Sequence, residues 1–172
     1  MEAKSFIILG IDPGTIVTGY GIVSSSGSMQ KAIEFGCIRP PGKELLSKRY
    51  LIIFNGISEL LEKHKPDAIA IETQFVSKNP QSAIKLGMAR GMAVLAATQR
   101  NIPVYEYTPK RAKKAVVGSG SASKHQVQKM MQILLKLDLP PEPEDAADAL
   151  ALALCHAHTL QTKTTLQEAV LL

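Results

Sequence analysis

The sequence predicts an α/β chain built on a five-stranded mixed sheet flanked by helices. Three observations carry this. Three apolar runs follow one another near the N-terminus with only short polar breaks, the pattern of a strand meander. Helical periodicity then alternates with two further short apolar runs. Proline, glycine and capping residues fall at most of the predicted boundaries. A meander followed by alternating helices and strands gives one mixed sheet with helices on its faces.

Residues 5–12 read as a buried strand, from the run Phe6-Ile7-Ile8-Leu9-Gly10-Ile11. Residues 17–25 and 29–38 read as two more, joined by a turn around Ser26-Gly27-Ser28. Pro40-Pro41-Gly42 ends the meander. A helix is expected over roughly 43–64, with Leu45, Leu46, Ile52, Ile53, Ile57, Leu60 and Leu61 as its apolar stripe, and Pro66 stops it. Residues 67–72 form the next strand. Asn79 caps and Pro80 opens a helix to about Arg100. A short strand covers 103–107, and Thr108-Pro109 starts another helix by the same logic. Gly118-Ser119-Gly120 is a break. Ser123 and Gln126 are spaced as a capping box for a helix to about Leu137. Pro140, Pro141 and Pro143 stiffen the connection to a last helix over 144–160. Residues 1–160 are expected as a single domain and 161–172 as a tail that frays.

A chain of 172 residues, 45% hydrophobic, can bury a sizeable core and is not expected to be disordered. No apolar run reaches the length of a membrane span and no secretory signal is visible, so a cytoplasmic location without membrane contact is expected. Cys37 and Cys155 stand alone without metal-type spacing and are read as buried thiols. The net charge is +5 but unevenly spread. The stretch 107–137 holds seven Lys and Arg residues and no Asp or Glu, which leaves the remainder at −2. A local basic segment on a slightly acidic body suits a polyanion, although a solvated helix face gives the same pattern.

The carboxylates point to chemistry. Asp12 ends the first strand and Glu72 ends the run Ala68-Ile69-Ala70-Ile71, while Asp145 and Asp148 lie three apart at the start of the last helix. Charges at the mouths of buried strands are costly unless paired, and a hard cation such as Mg²⁺ or Mn²⁺ is a natural partner for oxygen ligands. Each piece has an ordinary reading too. Asp12-Pro13-Gly14-Thr15 is a common turn composition, and acidic residues often occupy a first helical turn. Their combination in a basic protein suits two-metal phosphodiester hydrolysis, with ions ~3.5–4 Å apart.

Ile11-Asp12-Pro13-Gly14 followed by Thr18-Gly19-Tyr20-Gly21 resembles the opening of the RuvC-type Holliday-junction resolvases. The likeness continues through Ile71-Glu72, Phe75, Lys78-Asn79, Ala89-Arg90-Gly91, Val116-Val117-Gly118, Gly120-Ser121-Ala122 and Asp145-Ala146-Ala147-Asp148, over about residues 6–157 in order. It implies an RNase H-like fold, a homodimer and paired, symmetric, Mg²⁺-dependent nicking of four-way DNA junctions in recombination and repair. It also implies two Mg²⁺ per site, with Mn²⁺ as a substitute, and association with a branch-migration helicase complex. By the same resemblance Asp12, Glu72, Asp145 and Asp148 are the metal-binding catalytic set, and Lys113 and Lys124 contact DNA near the scissile phosphate. Phe75 corresponds to an aromatic that stacks at the opened junction; on its own, in a polar loop before the Asn79 cap, it reads first as a hydrophobic staple onto the next helix. The helix after Asn79 corresponds to the dimer contact, while its Gly87, Ala89, Gly91, Ala93, Ala96 and Ala97 alone would suit tight packing on the sheet. Glu144, beside Asp145, is expected on another face as a cap or solvent contact.

Three other functions remain open at this level. An actin-like phosphotransferase shares a strand followed by D-x-G-T but needs a second acidic glycine loop and a second subdomain. A non-catalytic junction-binding module would not need four carboxylates beside its DNA. A related nuclease acting on RNA would use the same metal site.

Overall fold

In the computed structural model, which describes residues 5–73, 79–162 and 170–172, the central strand is β1 (Ser5–Asp12). It pairs antiparallel with β2 (Thr18–Ser26), which pairs antiparallel with β3 (Met29–Ile38). On its other side β1 pairs in parallel with β4 (Ala68–Glu72), and β4 in parallel with β5 (Val104–Tyr107). The expected mixed sheet of five strands is therefore present in the order β3-β2-β1-β4-β5.

Period-two alternation divides the core into two layers. Leu9, Ile11, Ile69 and Ile71 face α1 (Leu46–His64) and α2 (Pro80–Thr98). Ile8 and Ala70 face the opposite layer, made by α3 (Pro109–Val117), α4 (Lys124–Leu134) and α5 (Glu144–Gln161). Most of α5 is buried, so its apolar surface extends well around the helix. It reaches the sheet closely because Gly10 has no side chain: a Cβ there would overlap the Ala149 carbonyl oxygen.

Local signals account for most helix starts. The Asn79 side chain accepts from the Gln81 and Ser82 amides at 3.0 and 3.4 Å. Thr108 Oγ1 accepts from the Arg111 amide at 3.1 Å. Both halves of the Ser123–Gln126 capping box form, at 2.8 and 3.2 Å. Two boundaries move. The first helix begins at Leu46 rather than near residue 43, because the Glu44 amide closes a turn on the Pro41 carbonyl at 3.0 Å. α4 ends at Leu134 rather than near residue 137, where Lys136 turns to φ 52° and the Leu137 amide bonds back to Gln132.

One further short strand joins the sheet. Val170 and Leu171 form a sixth strand, β6, antiparallel to β5, and the Leu172 amide donates to the Val104 carbonyl at 3.1 Å. The outer edge of β5 would otherwise present unpaired backbone groups, and this short pairing satisfies some of them. Cys37 is half-buried and Cys155 buried, both as free thiols. No described helix is long and apolar enough to cross a membrane.

Candidate active site

Parallel register sets the first half of the site. Ile11 lies opposite Ile71, so Asp12 and Glu72 follow side by side at the C-terminal ends of β1 and β4. Two residues earlier on each strand, Gly10 and Ala70 face α5, so alternation turns both carboxylates toward that helix. The first turns of α5 bring Asp148 to the same place. A cleft of about 290 Å³ results, with Asp12, Glu72, Asp148, Lys113 and Lys124 as its polar lining. Pro109, Ala112, Ala151 and Leu152 complete the wall.

The two lysines arrive on separate helices. In α3, Ala112 and Val116 are buried, which leaves Lys113 at the edge of the packed face and over the cleft. Lys124 is the first residue of α4, directly after its Ser123 cap. Its Nζ lies 3.3 Å from Glu144 Oε2 and 3.9 Å from Asp148 Oδ2.

The charges in the cleft are unbalanced. Burial, then the nearby Glu72, Asp148 and Asp145 carboxylates, push Asp12 up to about 8, against a smaller opposing pull from Lys124. Burial and Asp148 push Glu72 up to about 7, although Lys113 and Lys124 work in the other direction. Asp148 is also raised, by burial first. Burial alone would lower Lys124, but its bond to Glu144 and the surrounding carboxylates outweigh that and hold it above its usual range. Buried carboxylates that repel one another in this way need additional positive charge.

A hard divalent cation fits the chemistry of this lining, because among the described residues the anionic donors in the cleft are carboxylate oxygens. Among the described residues, no three acidic, histidine or cysteine side chains converge closely enough to hold an ion unaided. Water or phosphate oxygens would have to complete the coordination.

Five of the seven site residues predicted from sequence meet in the cleft. Asp145 does not line it; it sits at the rim beside β2, where a Cβ on Gly19 would overlap its carbonyl oxygen. It is still close enough to contribute to raising Asp12. Phe75 lies outside the described residues. Glu144 stays off the cleft and half exposed, as its spacing led one to expect, but its carboxylate also pairs with Lys124, which the sequence did not signal. Sequence reasoning also missed the fastening of the Asp12 loop. Thr18 Oγ1 donates to the Gly14 carbonyl at 2.8 Å and accepts from the Gly14 amide at 3.3 Å, and the Arg49 guanidinium donates to the Thr15 carbonyl. The position of Thr18 four residues after Gly14 hinted at this; nothing local marks Arg49.

Residues 8–156 match the family model described as "Crossover junction endodeoxyribonuclease RuvC". The crossover junction endodeoxyribonuclease RuvC of Protochlamydia amoebophila is 59% identical over 133 residues, spanning 77% of this chain and 79% of that protein. The protein of the same description from Chlamydia abortus is 53% identical over 130 residues, 75% of this chain and 79% of the relative. Among solved structures, T. thermophilus RuvC in complex with Holliday junction substrate superposes with a TM-score of 0.88 at 33% identity, covering 97% of this chain and 99% of that one. The yeast mitochondrial Holliday junction resolvase shares the fold, with a TM-score of 0.61 at 18% identity over 87% of this chain and 77% of that one.

Proposed function

The chain belongs to the RuvC family of crossover junction endodeoxyribonucleases, and from that premise we propose that Asp12, Glu72, Asp145 and Asp148 are the catalytic set with which it resolves four-way DNA junctions. The observation that carries this reading is the single cleft that gathers Asp12, Glu72 and Asp148 with Lys113 and Lys124. Phosphodiester hydrolysis needs an activated water, an electrophilic phosphorus and relief of charge on the departing oxygen. Mg²⁺ held by the carboxylates, two ions per site with Mn²⁺ as a substitute, would supply Lewis acidity and a more acidic water.

The chain's own residues do the rest. Asp12 and Glu72, fixed on adjacent strands, define where the scissile phosphate must lie. Lys113 and Lys124 hold its non-bridging oxygens and offset charge that builds in the transition state. Asp145 acts from the rim, one helical turn before Asp148. The apolar wall of Pro109, Ala112, Ala151 and Leu152 limits water on one side of the cleft. Phe75 stacks on a base at the opened junction centre, a role that rests on the family resemblance alone.

Two symmetric nicks call for two sites, and α2 suits a homodimer contact. Ile84, Met88 and Leu95 are exposed along it, and a Cβ on Gly87 or Gly91 would meet nothing within 4 Å. Its other face, with Ala89, Ala93, Ala96 and Ala97, packs on the sheet. A cytoplasmic location and association with a branch-migration helicase complex complete the proposal on the resemblance.

The test mixes purified protein with a four-way junction that has a mobile core, and separately with linear duplex, in Mg²⁺ and in chelator. Paired, symmetric, religatable nicks on the junction alone, lost in chelator, are expected. Tight binding without cleavage in Mg²⁺ or Mn²⁺ would leave only a binding module. Equal cleavage of duplex and junction would overturn junction selectivity.

A further inference from the structure

Lys124 begins α4 in a position that disfavours a cation. It follows the cap directly, beside the positive end of the helix, and the first turn of α4 contains no acidic residue. Its counter-charge comes from another helix. Glu144 is the first residue of α5, and its carboxylate reaches Lys124 Nζ at 3.3 Å, nearer than the cleft carboxylate of Asp148 at 3.9 Å. Lys124 and Glu144 are each about half exposed, 52% and 51%. A pair so exposed is weak and exchanges readily for a competing anion. Asp148 is much less accessible, at 18%.

We infer that Glu144 is the counter-charge that holds Lys124 at the rim of the cleft in the DNA-free protein and yields it to a DNA phosphate when the junction docks. The inference rests on the reading of Lys124 as a phosphate contact. Two consequences follow from the geometry. With Glu144 as its nearer partner, Lys124 is drawn away from Asp148, and that carboxylate is left more available to a cation. A phosphate approaching Lys124 must also displace a carboxylate and then sit beside it, which weakens binding for any DNA, junction or duplex. Glu144 therefore acts as an electrostatic brake on association and as a positioning residue for Lys124.

Glu144→Gln keeps the size of the side chain and removes its charge. Junction binding is measured in chelator across a salt series for wild type, Glu144→Gln, Lys124→Gln and the double variant. Glu142→Gln, which removes the same charge two residues earlier, gauges the long-range field. Glu144→Gln is expected to bind roughly three- to tenfold more tightly at low salt, a gain that shrinks as added salt screens the competing carboxylate. With Lys124 already replaced by Gln, the same substitution is expected to gain less than about twofold, the non-additivity of a direct pair. An equal gain in both backgrounds, or one no larger than that of Glu142→Gln, would overturn the pairing while leaving Lys124 as a DNA contact. A Lys124→Gln variant with wild-type affinity and slope would instead overturn the reading on which the inference rests.

Discussion

The Tyr107 hydroxyl lies 2.6 Å from Nδ1 of His156 in the core between the sheet and α5, and both residues are essentially inaccessible to solvent. Tyr107 ends β5 immediately before the Thr108 cap of α3, and His156 lies two turns beyond Asp148 on α5. The bond therefore ties the root of the helix that carries Lys113 to the helix that carries Asp148. The Tyr105 ring adds a contact with His156 at a centroid distance of 4.5 Å.

Burial, with a smaller contribution from the Arg111 charge, pushes His156 down to about 4 from an ordinary 6.5. The unfolded chain thus takes up a proton between those values that the native state refuses. Stability from this group is fully present above pH 6.5 and falls as pH drops toward 4. The contribution at stake is on the order of 3 kcal/mol. Urea unfolding at pH 7, 6, 5 and 4.5 should show a steeper loss for wild type than for His156→Asn, which does not titrate. Parallel curves would remove His156 as the source.

Asp12→Asn should abolish junction cleavage while binding in chelator survives. It should also stabilise the free protein, because Asp12 is buried among Glu72, Asp145 and Asp148 and their repulsion opposes folding when all are ionised. Each kcal/mol gained would raise Tm by roughly 2–4 °C at this chain length. The folded carboxyl is raised to about 8 from 3.8, so the strain is present above that range and fades as pH falls. A thermal melt at pH 8.5 that shows the variant less stable than wild type would contradict this account.

Divalent cations should act on the same strain. Mg²⁺ or Mn²⁺ at about 100 times its dissociation constant would add about 2.7 kcal/mol to the folded state. Thermal melts at pH 8 with and without each ion check this. Asp12→Asn should show a smaller rise than wild type, and an equal rise in both would place the ion elsewhere.

Gly19→Ala should impair cleavage far more than binding. A Cβ at Gly19 would overlap the Asp145 carbonyl and displace the first turn of α5, which carries Asp145 and leads directly into Asp148. Misplacement of about 1 Å can cost roughly 100-fold in rate. Single-turnover cleavage at saturating junction measures it, and a wild-type rate in a folded variant would show that the first turn tolerates the shift.

Local chemistry wrote much of this protein into its sequence. Continuous apolar runs define β1 and β4 and therefore where Asp12 and Glu72 end them. Asn79-Pro80, Thr108-Pro109 and the Ser123–Gln126 box start three helices within a residue of expectation, because each satisfies orphan amides from its own neighbours. With the family motifs, that was enough to name the candidate carboxylates and lysines.

Tertiary structure alone decided how those residues meet. Lys113 and Lys124 sit on different helices and reach Asp148 only because α3 and α4 pack on α5. Helical spacing put Asp145 and Asp148 together, yet the close seat of α5 on Gly10 and Gly19 leaves Asp145 at the rim. Glu144 turned toward Lys124, His156 met Tyr107, and residues 170–171 found the edge of β5. Each of these contacts joins residues at least about twenty apart in the chain. Periodicity and capping extend over only a few residues, so such contacts are set by the packing of whole elements.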